Sequence, residues 1–240
     1  MRPKRCTIFS RRIEQHQRAQ KDPEADWDEH DYERFLKESD ARTDKYGELL
    51  DKFGDSEQAH AKIAHEMGWD REISDEDAAQ REQWIEEMNR ACEEALNEPE
   101  PEPDPHREGI DWIRTADGGL HHPLQHACFE GAMKLCEEVK LLGLEGHPDR
   151  DLTDLVSEFQ IASAKLAGAL GGVARGESFD DVAFTVACLK RALNHLHKAQ
   201  AGLEALAPKN LLLDDLITET RRHLFEIREG VLDLMDRFRR

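Results

Sequence analysis

An all-α fold follows from three features of the 240-residue chain. In its second half, apolar residues recur in alternating steps of three and four, the spacing that lines one face of a helix. Alternating runs of Val, Ile, Thr or aromatic residues are missing. Glycine and proline cluster at points that cut the apolar pattern into helix-length pieces. The predicted architecture is an antiparallel up-down-up-down four-helix bundle over residues 109–240. It is preceded by acidic N-terminal helices over 22–96 and a Pro/Glu spacer over 97–108, with a basic, partly disordered arm at 1–21.

The acidic region reads as three helices. The first, over about 28–53, carries a stripe of Tyr32, Phe35, Leu36, Tyr46, Leu49, Leu50 and Phe53. A short second helix covers 56–69, and Ser74-x-x-Asp77 opens a third with Trp84, Ile85, Met88, Cys92 and Leu96. Nearly everything between these positions is charged, so the helices hold too little apolar area to stand alone. They are expected to pack on each other, on the bundle or on a partner.

The spacer places proline at every second position from Pro99 to Pro105, which forbids helix and favours extended backbone. Four helices follow. The first begins after His122 with Pro123 at its first position and the stripe Leu124, Cys128, Leu135, Val139 and Leu142. The second carries Leu152, Leu155, Phe159, Leu166, Leu170 and Val173, and stops at Gly171, Gly172 and Gly176. The third opens with Ser178-x-x-Asp181 and continues through Val182, Val186, Leu189, Leu193, Leu196 and Leu203. The fourth follows Pro208, with Leu213, Ile217, Leu224, Ile227, Val231, Leu234 and Phe238. Short connections force neighbouring helices to run antiparallel.

Composition narrows the function. Charged residues make up 35% and hydrophobic residues 38%, against an ordinary apolar share of about 45–50%. The formal net charge of −19 is unevenly placed: residues 22–108 carry a net −20 and residues 1–21 a net +6. An acidic surface of that size repels nucleic-acid backbone and favours a cationic protein partner. A transmembrane helix needs about 18 apolar residues in a row, and the sequence has none, so no membrane association is expected. Five scattered cysteines without a C-x-x-C pair read as reduced thiols and point to a cytoplasmic protein.

No catalytic constellation stands out, and the chain reads as non-enzymatic, with no cofactor implied. The glycine-rich stretch at 171–178 has Glu177 where a phosphate loop needs Lys. Cys128 lies within an apolar stripe and reads as a small core residue. Metal ligation is confined to His121, His122, His126 and Glu130, at the start of the first bundle helix. Glu219, His223 and Glu226 share a face of the fourth helix turned away from Leu224 and Ile227.

The back of the second bundle helix presents Ser157, Ile161, Ala164, Gly168 and Gly171, small or apolar and almost free of charge. A helix apolar on both faces is normally covered on both, so this face is read as an interface: with the N-terminal helices, or with a second copy in a homo-oligomer. The leading expectation is a helical scaffold or adaptor mediating protein–protein interaction through its acidic N-terminal surface. The alternative is a metal- or small-ligand-binding bundle built on the histidines, and the third a nucleic-acid-associated regulator using the basic arm.

Overall fold

The computed structural model describes residues 27–70, 75–97, 102–176 and 182–240, without the side chains of 75–78 and 95–97. The basic arm, the Ser74 and Ser178 helix starts, Pro99 and Pro101 lie outside the described residues. The chain divides into two compact units, Met1–Pro99 and Glu100–Arg240.

In the first unit, α1 spans Glu29–Phe53. Its start is fixed by Asp28, whose carboxylate accepts from the backbone N–H groups of His30 at 2.8 Å and Asp31 at 2.9 Å. These bonds, that from Asp31 foremost, hold the Asp28 carboxyl below its ordinary range. Gly54 and Ser56 turn the chain into α2, Glu57–Met67, which Ser56 caps and left-handed Gly68 ends. The two helices pack as a hairpin around Leu49, Ala59 and Ile63. Lys45 Nζ donates to the Glu66 carbonyl at 2.6 Å, and the Tyr46 and Trp69 rings lie 5.6 Å apart. At the other end of α1, Trp27 meets Tyr32 and Phe35 edge-on. A third helix, α3, spans Asp75–Asn97.

The second unit opens with residues 102–108. Pro103 is buried, Asp104 caps a short 3-10 turn at Pro105–Arg107, and the Trp112 indole donates to the Asp104 carbonyl at 2.9 Å. The end of the proline run is therefore fastened into this unit. A two-stranded antiparallel hairpin follows, β1 Ile113–Arg114 and β2 Leu120–His121, paired Ile113 to His121 and Arg114 to Leu120. The sequence reading foresaw no strand; the Asp117–Gly118 turn, with Gly118 at φ +84°, is the local feature that makes one.

Four long helices then form the bundle: α4 Pro123–Leu141, α5 Arg150–Ala174, α6 Val182–Leu206 and α7 Asp214–Arg239. Each packs on its sequence neighbours, and α7 closes the ring against α4. The core is continuous from Leu135 and Val139 through Leu155, Phe159, Leu166 and Leu170 to Leu189, Leu196, Leu203, Leu224, Ile227 and Val231. The closest approach is between α5 and α6. A Cβ on Gly202 would lie 3.0 Å from both the Asp151 carbonyl oxygen and the Leu155 nitrogen. Glycine is what lets the two backbones meet there.

Stripe positions at helix ends and edges differ from the sequence reading, Leu142 among them, 36% exposed at the C-terminal cap of α4. Leu213 is 59% exposed, while its neighbour Leu212 is buried. The short 3-10 turn Ala207–Lys209 and left-handed Asn210 (φ 53°) reset the helix start, so Leu212 and Leu216 turn inward. Val182 is exposed at the beginning of α6, and Leu193 only flanks the core that Leu189 and Leu196 fill.

Candidate binding groove

A groove of about 910 Å³ runs along the outside of the bundle, between the hairpin, α4 and α5. The hairpin supplies Ile113, Arg114, Thr115, Ala116, Asp117 and His121 as one wall. From α4 come Gln125, His126, Phe129, Glu130, Ala132 and Met133, spaced at helical repeats along one flank. From α5 come Gln160, Ser163, Ala164 and Ala167. Phe129 is 49% exposed and Met133 40%, an unusual exposure for side chains so apolar on helices this well packed.

Local chemistry holds the walls in place. Asp117 accepts from the Thr115 hydroxyl at 2.5 Å and from the Gly119 N–H at 3.2 Å. The Thr115 bond first, and then the backbone one, keep its carboxyl below the usual range. Gly119 leaves room for the His121 imidazole: a Cβ at that position would lie 2.7 Å from Nε2. His121 Nδ1 meets Gln125 Nε2 at 3.2 Å, and the His121 and His126 rings stand 6.0 Å apart. At the floor, Ser163 pairs with the Cys128 thiol, and burial pushes that thiol up to about 12. Cys128 is thus a protonated core group and not a nucleophile. Gln160 Nε2 donates to Cys136 Sγ at 3.1 Å, bridging α4 and α5.

Two separate sequence candidates meet here. His121, His126 and Glu130 line the groove, and so does Ala164 from the small-residue face of α5. Ile161 and Gly168, on the same face, are exposed, and a Cβ on Gly168 would meet nothing within 4 Å. Ser157 and Gly171 are partly covered, Gly171 by the Arg175 guanidinium. No described residue closes over Gly168.

His122 does not join the other histidines. It is 3% exposed and caps α4, its Nδ1 accepting from the Leu124 N–H at 3.1 Å, with Nε2 enclosed and without a partner among the described residues. Among those residues no three His, Cys, Asp or Glu side chains are placed to hold one metal ion. The set His121, His122, His126 and Glu130 is therefore divided between a groove wall and a helix cap. Around His122 lies a different polar cluster. Asp111 is buried beside it, bonded by Arg107 Nε at 2.5 Å and paired with Arg237 of α7 at 2.8 Å.

Burial lowers the His122 pKa from 6.5 to about 4; Asp111 opposes this and Arg237 reinforces it. As pH falls from about 6.5, the unfolded chain takes up a proton that the folded chain refuses until about 4. Folding therefore loses stability across that window, by about 3 kcal/mol once it is crossed. His122→Asn keeps a capping acceptor for the Leu124 N–H and removes the titration. Urea midpoints at pH 7 and pH 4.5 are expected to fall further for the wild type than for this variant; equal falls would contradict the assignment.

The far side of the bundle corrects one reading. His223 does not face away: a Cβ on Gly131 would lie 2.8 Å from its ring, which also sits edge-on to Phe159 at 6.4 Å. Glu219 pairs with Lys134 across the same α4–α7 seam at 2.6 Å, and Glu226 with Arg222 at 2.7 Å. The close approach of α4 at Gly131 covers a flank of α7 that a helix-wheel argument leaves open.

Among the described residues no helix is long and apolar enough to cross a membrane. No protein-family model, curated protein or solved structure matches the chain.

Proposed function

We propose that this chain is a non-enzymatic helical adaptor, in which the bundle is a rigid body whose outer groove receives a helical segment of a partner protein. The observation that carries the reading is the groove itself. Exposed Phe129 and Met133 stand beside a strip of Ala164, Ala167 and Gly168 small enough for another helix to approach closely. The polar groups at its hairpin end, His121, Gln125 and Asp117, offer register to a bound segment.

The same reading gives the acidic helices of 22–96 a cationic protein partner, and a second copy of the chain is the competing occupant of the α5 face. It also takes the protein to be cytoplasmic, in keeping with Cys92, Cys128 and Cys136 as thiols outside any disulfide.

A photo-crosslinking residue at Met133 of the full chain, illuminated in living cells, tests the groove. A discrete covalent product is expected, and it is expected to disappear in Gly168→Glu, since that side chain enters open space and leaves the fold intact. A product of twice the chain mass would assign the groove to a second copy. No product above that of a control site at Leu141, which is 80% exposed on the same helix, would refute the reading.

A further inference from the structure

Among the described residues, the first unit holds a second surface that nothing covers, of different chemistry. No described side chain of α3 between residues 79 and 94 is buried, whereas α1 buries Tyr32, Leu36 and Leu49 and α2 buries Ala59 and Ile63. At 100° per residue, Trp84, Ile85, Met88, Ala91 and Cys92 fall within a sector of about 120°. Ile85 is 37% exposed, and the other four are partly exposed. Arg81 falls inside this sector; Glu87 and Glu94 run along one edge, Glu82 stands beyond the other, and Glu86 and Glu93 lie on the back of the helix, all five glutamates exposed. Over its length α3 carries eight acidic residues against Arg81 and Arg90.

We infer that α3 is a recognition helix, whose Trp84–Met88–Cys92 stripe seats in a concave apolar surface of a partner protein rimmed by lysine and arginine. The inference rests on the adaptor reading for the class of partner and adds the site and its chemistry. Charge decides among occupants. A membrane surface is anionic, and helices that lie on it flank their apolar face with Lys and Arg, the reverse of this arrangement. A second copy of α3 would bring two strongly acidic helices together. A cationic rim converts the same charge into steering, while the central tryptophan and methionine supply the buried contact.

The helix also tolerates the experiment. Since none of the described side chains of 79–94 is buried, substitutions among them are expected to leave the urea midpoints unchanged. The full chain carrying a photo-crosslinking residue at Met88 is illuminated in cells, the adduct is mapped by mass spectrometry, and the partner so identified is purified for binding. The crosslink is expected on a surface with an excess of Lys and Arg. Affinity is expected to fall about tenfold between 50 and 500 mM NaCl, and comparably when Glu82, Glu87 and Glu94 become glutamine. Trp84→Ala is expected to weaken binding about 30-fold, and bound partner to slow alkylation of Cys92.

A crosslink to an acidic or uncharged surface, salt-independent affinity, an adduct between two copies of this chain, or no adduct at all would each overturn the inference. So would binding of the chain to phosphatidylcholine or phosphatidylserine vesicles that Met88→Glu abolishes. Capture at Met133 without capture at Met88 would sink this inference alone; failure at both positions would sink the adaptor reading with it.

Discussion

Leu196→Asp is expected to unfold the bundle. Leu196 is 1% exposed, at the middle of α6 and inside the continuous core. The substitution removes a full leucine from that core, at a cost of about 2–5 kcal/mol, and places an unpaired carboxylate there. A domain of this size is held by about 5–15 kcal/mol in all, so the sum leaves no stable native state. Far-UV circular dichroism is expected to show loss of most helical signal and of a cooperative urea transition. Leu193→Asp, three residues and about one turn away, is the informative contrast, because Leu193 only borders the core and its substituent has a path to solvent. It is expected to lower the urea midpoint and keep the helices. A folded Leu196→Asp beside an unfolded Leu193→Asp would mean that α6 is rotated from the register described above.

The second large effect is expected at Gly202, by the opposite mechanism. Valine there adds volume where none exists: its Cβ alone meets the backbone of Asp151 and Leu155 at 3.0 Å. These are main-chain atoms at the start of α5, held in place by the Asp149 cap and by Lys209, which bridges Asp149 and Asp151 at 2.6 Å each. They cannot swing aside as a side-chain tip would, so the helices must separate along their tightest seam. A loss of about 3 kcal/mol or more is expected, read as a lowered urea midpoint with helical content retained in the absence of urea. Gly230→Ala is the control. It meets the tip of Leu124 at 2.6 Å, a flexible group that turns away, and its effect is expected to be small. Equal losses at the two glycines would show that α5 and α6 are not in backbone contact.

Most of the bundle is legible in the sequence because a core-facing stripe needs nothing from outside its own helix. Leu152, Leu155, Phe159, Leu166, Leu170 and Val173 are named by spacing alone, and all six are buried. Spacing fails where several leucines adjoin. In the run Leu211–Leu212–Leu213 each residue fits a stripe, and the choice falls to the backbone turn at Asn210, which periodicity does not encode. It fails again at α4–α7, where the helix wheel places His223 outward and a single glycine on the facing helix draws it into the seam.

The groove divides along the same line. Its α5 wall is visible at Ala164, with Gly168 beyond it, residues too small and too uncharged for an exposed helix, and His121, His126 and Glu130 stand out by residue type. That they share one cavity with Phe129 and Met133 depends on a hairpin of two-residue strands, too short to show any alternation. Gln125 and Gln160, which brace the walls, carry no signal a single sequence displays.

The pairing of Asp111 with Arg237 joins the first turn of the second unit to the last helix. Two residues 126 apart along the chain thereby meet at 2.8 Å. A pull that draws the segment before the hairpin away from α7 therefore loads this ion pair.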